Sequence, residues 1–390
     1  MVGVDMKSFF FSGAIAVSLL FLAPTTNVSA QTDPHAGHDM HQDHKGHKGH
    51  AGHAGHGASH GAGHHAPIGV MGATKHAKGE FMLSARYGAM QMSGNLIGTQ
   101  RVTPEEIATT VPNSFFGRPM QPPTLRVVPT DMTMDMVMVG AMYGLTDRVT
   151  LMAMGSLVYK EMDHITFQGG MGTTRLGEFT TNSGGVGDTK VGAFVGLFEG
   201  NDQSLQLNAM VSLPTGSLDE TDQILTPMGG TPSPRLPYPM QIGSGTLDLE
   251  PGLTYLGNAG AINWGGQAKA VLRLGTNDEG YTLGDRFEAT AWASYDLADW
   301  VSTSFRVRGS TQGRIDGADP LIVAPVQTAQ PDFQGGDRLD LLVGANFLLT
   351  DGALKGNRLA VEAGFPVAQD LNGPQLETDF TLTIGWQLSF

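Results

Sequence analysis

Twelve of the thirteen histidines in this 390-residue chain lie between His35 and His76. They recur at a spacing close to three: His35, His38, His41, His44, His47, His50, His53 and His56, then His60, His64, His65 and His76. Repeated imidazoles suit borderline cations such as copper, zinc or nickel in their divalent states. Binding of this kind weakens as pH falls, because a protonated imidazole cannot ligate. Asp33, Asp39, Asp43 and Met40 stand nearby as further donors. The alternative is a low-complexity tether whose histidines hold no metal.

A second soft-ligand pattern is Met132, Met134, Met136 and Met138, continued by Met142. Thioethers suit Cu(I). Alternation with Asp131, Thr133 and Asp135 predicts that these methionines face lipid, leaving Met90, Met92, Met152 and Met154 as lumen candidates. Catalytic signals are weak. Glu161, Asp163 and His164 form one polar cluster, read as the start of an outer loop. The match Gly57-Ala58-Ser59-His60-Gly61 falls inside the histidine tract, where no strand-to-helix turn can hold a nucleophile. No phosphate loop or dinucleotide fingerprint occurs in context, so no enzyme is expected and no cofactor is required.

The elements that would position these residues are strands. Phe380, Leu382, Ile384, Trp386, Leu388 and Phe390 alternate with polar or small residues, the period of a strand with one oily face. Twelve such segments follow residue 78, at 79–93, 131–143, 149–160, 185–197, 203–213, 245–256, 262–275, 284–296, 300–314, 338–349, 357–369 and 378–390. Short connections follow the even-numbered segments and longer ones, such as 161–184 and 370–377, the odd-numbered. That parity belongs to a transmembrane antiparallel up-and-down β-barrel with tight periplasmic turns and extended outer loops. Mean hydropathy is only −0.09, as expected when alternate residues face a wet interior.

Three regions result. Lys7, the apolar run Phe9–Ala23 and Val28-Ser29-Ala30 read as a signal peptide over residues 1–30, with no cysteine to acylate. Residues 31–78 read as a disordered His-rich periplasmic arm, and 79–390 as the outer-membrane barrel of a Gram-negative bacterium. The chain has no cysteine, hence no disulfide or thiolate site. A net charge of −14 without a basic stripe argues against nucleic acid as a partner. Membrane lipids, the barrel-assembly machinery and small solutes are the partners that a barrel implies. Charges on its lipid side would cost about 2–4 kcal/mol each near the midplane. Arg86, Asp135, Asp188, Lys190, Asp248, Glu250, Lys269, Arg273, Arg286, Glu288, Arg306, Arg308, Arg338, Asp340, Arg358 and Glu362 are therefore expected to line the lumen.

Gly185-Val186-Gly187-Asp188-Thr189-Lys190 and Leu213-Pro214-Thr215-Gly216 resemble signatures of the outer-membrane transporters named for the meta pathway of phenol degradation. Ala66-Pro67-Ile68-Gly69-Val70-Met71-Gly72, Arg235-Leu236-Pro237-Tyr238-Pro239-Met240 and Gly373-Pro374-Gln375-Leu376-Glu377-Thr378-Asp379 extend the likeness. The resemblance implies an outer-membrane barrel moving small, often aromatic or hydrophobic, compounds. The His-rich arm departs from that pattern and is similar to copper-resistance outer-membrane proteins. Two alternatives follow: copper or divalent-metal resistance by efflux or sequestration, and a non-conducting metal-sequestering surface protein. Removal of residues 35–76 is expected to abolish Cu(II) or Zn(II) binding measured by calorimetry. Unchanged binding would end the metal reading of the arm.

Overall fold

The computed structural model describes residues 62–200 and 202–390. The expected signal peptide and the histidines from His35 to His60 lie outside the described residues. Twelve strands are named here: β1 (Phe81–Gly98), β2 (Val127–Thr146), β3 (Val149–Phe167), β4 (Arg175–Val186), β5 (Thr189–Glu199), β6 (Gln203–Leu213), β7 (Leu247–Ala259), β8 (Ile262–Leu274), β9 (Arg286–Ala298), β10 (Val301–Gln312), β11 (Gly336–Leu348) and β12 (Asn357–Ser389). Every pairing among them is antiparallel, and eleven close a ring through β1 and β12. Outside that ring, β4 continues the line of β5 up the outer half of β3, and Gln100–Val102 folds back on β1.

The 33-residue β12 is two legs rather than one. Its first half pairs with β11 and its second with β1. Cross-links between the halves include Thr378 N–H to Gln369 Oε1 at 2.9 Å and Trp386 Nε1–H to Asn357 Oδ1 at 2.7 Å. With β4 and β5 in line and β12 doubled, the chain crosses twelve times. The closed antiparallel barrel expected from sequence is thus the observed fold.

The outer surface is set by alternation. On β11, Leu339 and Val343 are exposed while Asp340, Leu342 and Asn346 are buried. Leu253 on β7, Phe287 on β9 and Phe305 on β10 add to the exposed apolar belt. Near the tight turns, Tyr143, Tyr295, Trp300, Phe347 and Phe390 supply aromatic side chains, the pattern of an interfacial girdle. A belt this apolar is stable only against lipid.

Two expectations require correction. Segments 161–184 and 370–377 are expected as outer loops, but β3 runs to Phe167, β4 starts at Arg175, and on β12 Leu371 and 375–378 pair with β1, which leaves only 372–374 without a ladder partner. Outward positions there are polar (Glu161, Asp163, Thr180), so these strands rise past the apolar belt, where solvated strand needs no oily face. Asp135 is the other correction. Its carboxylate accepts the Tyr87 hydroxyl on the outward face, so it does not line the lumen. The phase of β2 is fixed by exposed Val137, Val139 and Tyr143, which share odd parity with Asp131 and Asp135. The even-numbered methionines therefore point inward, opposite to the expectation.

The long connections fold over the outer mouth. Buried Arg126, just before β2, donates to the carbonyls of Gly169, Ala108, Gly172, Gln168 and Met171 at 2.8–3.3 Å. Its burial holds the guanidinium below its ordinary pKa. That one side chain ties a short helix, α1 (Pro104–Thr110), to the turn after β3. Phe115, Tyr238, Tyr281, Ile315 and Val326, from four different connections and joined by Val127 of β2, form one apolar cluster. Replacing Val343 by arginine should cost about 2–4 kcal/mol of stability, and the rim change Asp337→Arg about 1 or less. Urea midpoints of folding into lipid vesicles measure both.

Candidate functional site: the occluded lumen

Residues 62–80 run inside the barrel at its tight-turn end and touch most of the ring. Ala62 N–H donates to Asp299 O at 3.1 Å, and Ser294 Oγ–H to Gly63 O at 3.2 Å. Arg358 Nη2–H donates to Ala66 O at 2.5 Å, Gln267 Nε2–H to Met71 O at 2.8 Å, and Gln206 Nε2–H to Gly72 O. His76 N–H then donates to Thr150 Oγ1 at 2.9 Å, and Gly79 N–H to Gly144 O at 2.8 Å. Side-chain amides and guanidinium thus satisfy a backbone that has no strand partner of its own. The stretch 62–78, expected within the periplasmic arm, is a plug.

Small residues let it fit. A Cβ on Gly69 would stand 2.5 Å from both Arg306 Nη2 and Glu362 Oε1. Gly72 takes φ +69° against the Phe194 ring, a conformation that costs other residues strain. Between these contacts Ala66, Val70 and Ala73 pack on Trp292. The space left among Ala66, Val70, Met82, Arg86, Met142 and Arg358 is about 10 Å³. One water needs at least ~10–15 Å³. This gap holds one water at most.

Above the plug the lumen is wet. Lys269 and Arg286 face inward, yet their side chains are 36% and 38% exposed, so solvent must reach them from inside. They share Glu288 at 3.1 and 3.2 Å. Lys190 pairs with Glu250 at 2.6 Å, Arg308 and Arg338 with Asp340 at 2.7 and 3.1 Å, and Arg273 with Asp248. Asp188 instead accepts Gly216 N–H and Ser244 N–H, each at 2.9 Å, pinning the connection after β6. Beneath, Arg306 pairs with Glu362, and Arg358 donates to Gln387, Asn346 and Ala66. Arg86 has no carboxylate at ion-pair distance among the described residues and senses Glu362 from farther away. Fifteen of the sixteen expected lumen charges therefore sit on the inward face, nine basic and six acidic.

The lumen has two kinds of wall. These charges lie mostly on β5 and β7 to β12. The wall formed by β1, β2 and β3 carries thioethers instead. Its register aligns Met92 with Met132 and Met162, and Met90 with Met134; at the bottom Met82 meets Met142 and Met152. These methionines are evident in the sequence, but the phase expected for β2 from Asp131 and Asp135 is the opposite of the observed one. Val137, Val139, Ala141 and Tyr143, all odd-numbered and apolar, were the signal that could have set it.

The histidines fare differently. His64 and His65 are half-buried at the start of the plug, with Asn346 donating to His65 O at 3.4 Å. His76 is 2% exposed, with Nδ1 3.2 Å from Glu80 Oε1. His164 is buried on the inward face and stacks on Phe179 at 4.6 Å, whereas Glu161 and Asp163 face outward, so their cluster dissolves. Among the described residues no three His, Asp or Glu side chains surround a common point fit for a cation.

This architecture is that of a closed antiparallel β-barrel with a segment of its own chain packed inside. No family model matches the chain, and no curated protein matches it. Among solved structures, an outer membrane channel from Pseudomonas putida F1 is similar, with TM-score 0.54 and 16% identity over 82% of this chain and 99% of that one. The toluene transporter TodX of Pseudomonas putida (TM-score 0.38, 11% identity, 80% and 90% covered) and the CymD monoaromatic hydrocarbon channel (0.39, 9%, 86% and 99%) are looser matches. The first of these likenesses shows a shared fold.

Arg358→Ala removes the guanidinium that holds Ala66 and should loosen the plug. Limited proteolysis should cut within 62–80 several-fold faster than in the unaltered protein. An unchanged cutting rate would mean that the latch lies elsewhere.

Proposed function

We propose that this protein is an outer-membrane channel for small solutes, hydrophobic or aromatic ones included, with its N-terminal arm on the periplasmic side. The observation that carries this reading is the lumen. A belt fit for lipid encloses solvent-reached ionic side chains above a plug that hangs from side-chain hydrogen bonds. Had the interior been needed only for stability, a packed apolar core would serve. The methionine wall favours apolar and aromatic solutes, since a thioether is polarizable and packs well on rings. The motif likeness to meta-pathway transporters supports the same class of solute.

Opening requires the plug to leave or shift. The histidine-rich arm, continuous with the plug, is the part suited to a divalent metal. The reading includes no catalysis: among the described residues His164 stacks on Phe179, while Glu161 and Asp163 face the other side of the strand. Resistance by efflux would use the same lumen, whereas sequestration would need only a metal-binding arm.

Liposome swelling tests the proposal. Liposomes holding the intact protein should swell slowly in small neutral solutes, and those holding a variant lacking residues 62–78 several-fold faster. If neither admits any solute, aromatic ones included, the channel reading fails and a non-conducting anchor for the arm replaces it.

A further inference from the structure

One rung of the thioether wall has a composition that packing alone does not require. Met82 of β1 stands opposite Met142 of β2, and Met142 opposite Met152 of β3. Met152 then faces Gly192 of β5, which faces Met210 of β6. All four methionines are buried, in one cluster with Met154 and Phe194. Opposed residues on antiparallel strands have Cβ atoms about 4.5–5.5 Å apart, so neighbouring thioethers can share one ion. Gly192 is needed to complete the row. A Cβ there would collide with the Ala209 carbonyl, and Met210 Sδ lies 2.7 Å from its place, over the gap in the row.

The plug adds two more soft donors. Met71 packs against the same cluster. His76 is tethered to Thr150, the inward position just below Met152 on β3. Its Nε2 is buried and has no hydrogen-bond partner among the described residues. No carboxylate belongs to the rung, which excludes the oxygen-rich shell that hard cations need. Thioethers and imidazole together suit Cu(I). The Phe194 ring beside them offers a face that also attracts a cation.

We propose that this rung binds a soft monovalent cation, Cu(I), on two or three adjacent thioethers among Met82, Met142, Met152 and Met210, with Met71 and His76 of the plug as neighbouring donors. This rests on the channel reading and names one solute class for the same lumen. Because Met71 and His76 belong to the plug, an occupied site ties the plug to the wall. A thioether has no proton to gain in this range, so the site keeps its ion at a pH where the imidazoles of the arm have lost theirs.

The test uses the full chain in detergent with ascorbate, titrated with Cu(I) against the chelator bicinchoninate at pH 5. The unaltered protein should retain about one Cu(I) that shows sulfur neighbours in its X-ray absorption spectrum. The quadruple variant M82L/M142L/M152L/M210L, close in volume and still apolar, should retain none. Equal retention by both proteins, or a spectrum of nitrogen and oxygen neighbours alone, would overturn the site. If the quadruple variant does not fold, Met142→Leu and Met152→Leu are compared singly, each expected to weaken retention at least tenfold. Unchanged affinity in both would again reject the site. Swelling is scored separately: a protein that admits solute but holds no Cu(I) keeps its channel role and loses this site. One that holds Cu(I) on sulfur yet admits nothing keeps the site and loses the channel.

Discussion

The structure depends on the requirement that no backbone polar group be left unpaired in lipid. An open sheet would expose two edges to hydrocarbon, each unpaired group costing several kcal/mol. Here Phe81 N–H donates to Phe390 O at 2.8 Å, and Phe390 N–H to Phe81 O at 2.9 Å. The ladder continues between β1 and β12 from Met82 to Gly98, interrupted by three register shifts. Once that seam is shut, side-chain alternation has only two destinations, lipid and lumen. The apolar belt, the ionic wall and the thioether wall are all consequences of this division.

The same rule explains the plug. A segment inside a closed barrel cannot join a ladder, because every strand already has two neighbours. Its carbonyls must be met by side chains, and Gln206, Gln267, Asn346 and Arg358 perform this role from four different strands. Such bonds are few and individually modest, about 0.5–1.5 kcal/mol net for neutral pairs. A plug held in this way can be released without disturbing the wall.

Much of the fold was legible in the sequence. The short-long parity of the connections and the alternation of β12 defined a closed antiparallel barrel, and the chain crosses twelve times. Inward charges such as Lys269, Glu288 and Asp340 followed from the cost of placing them in lipid. The errors arose where the lipid argument stops applying. At Asp131 and Asp135 the strand has risen beyond the apolar belt, so a carboxylate can face outward at little cost. Reading the phase from those aspartates turned the methionines to the wrong side. The plug was hidden for a different reason. Its Gly and Ala residues look unable to form a core, yet smallness is what admits Gly69 between Arg306 and Glu362. Only the appearance of Ile68, Val70 and Met71 at the end of the histidine tract hinted at burial.

The arginine cluster packed against the plug bears on the open state. Among the described residues, Arg86, Arg306 and Arg358 have Glu362 as their one nearby carboxylate. With the plug in place, the Ala66 carbonyl and neutral amides spread part of that excess. With the plug gone, a carbonyl dipole leaves and water enters, while the unbalanced positive charge stays on the wall. A current through the unplugged bore would then be carried mainly by chloride rather than sodium, even though the chain as a whole is strongly acidic.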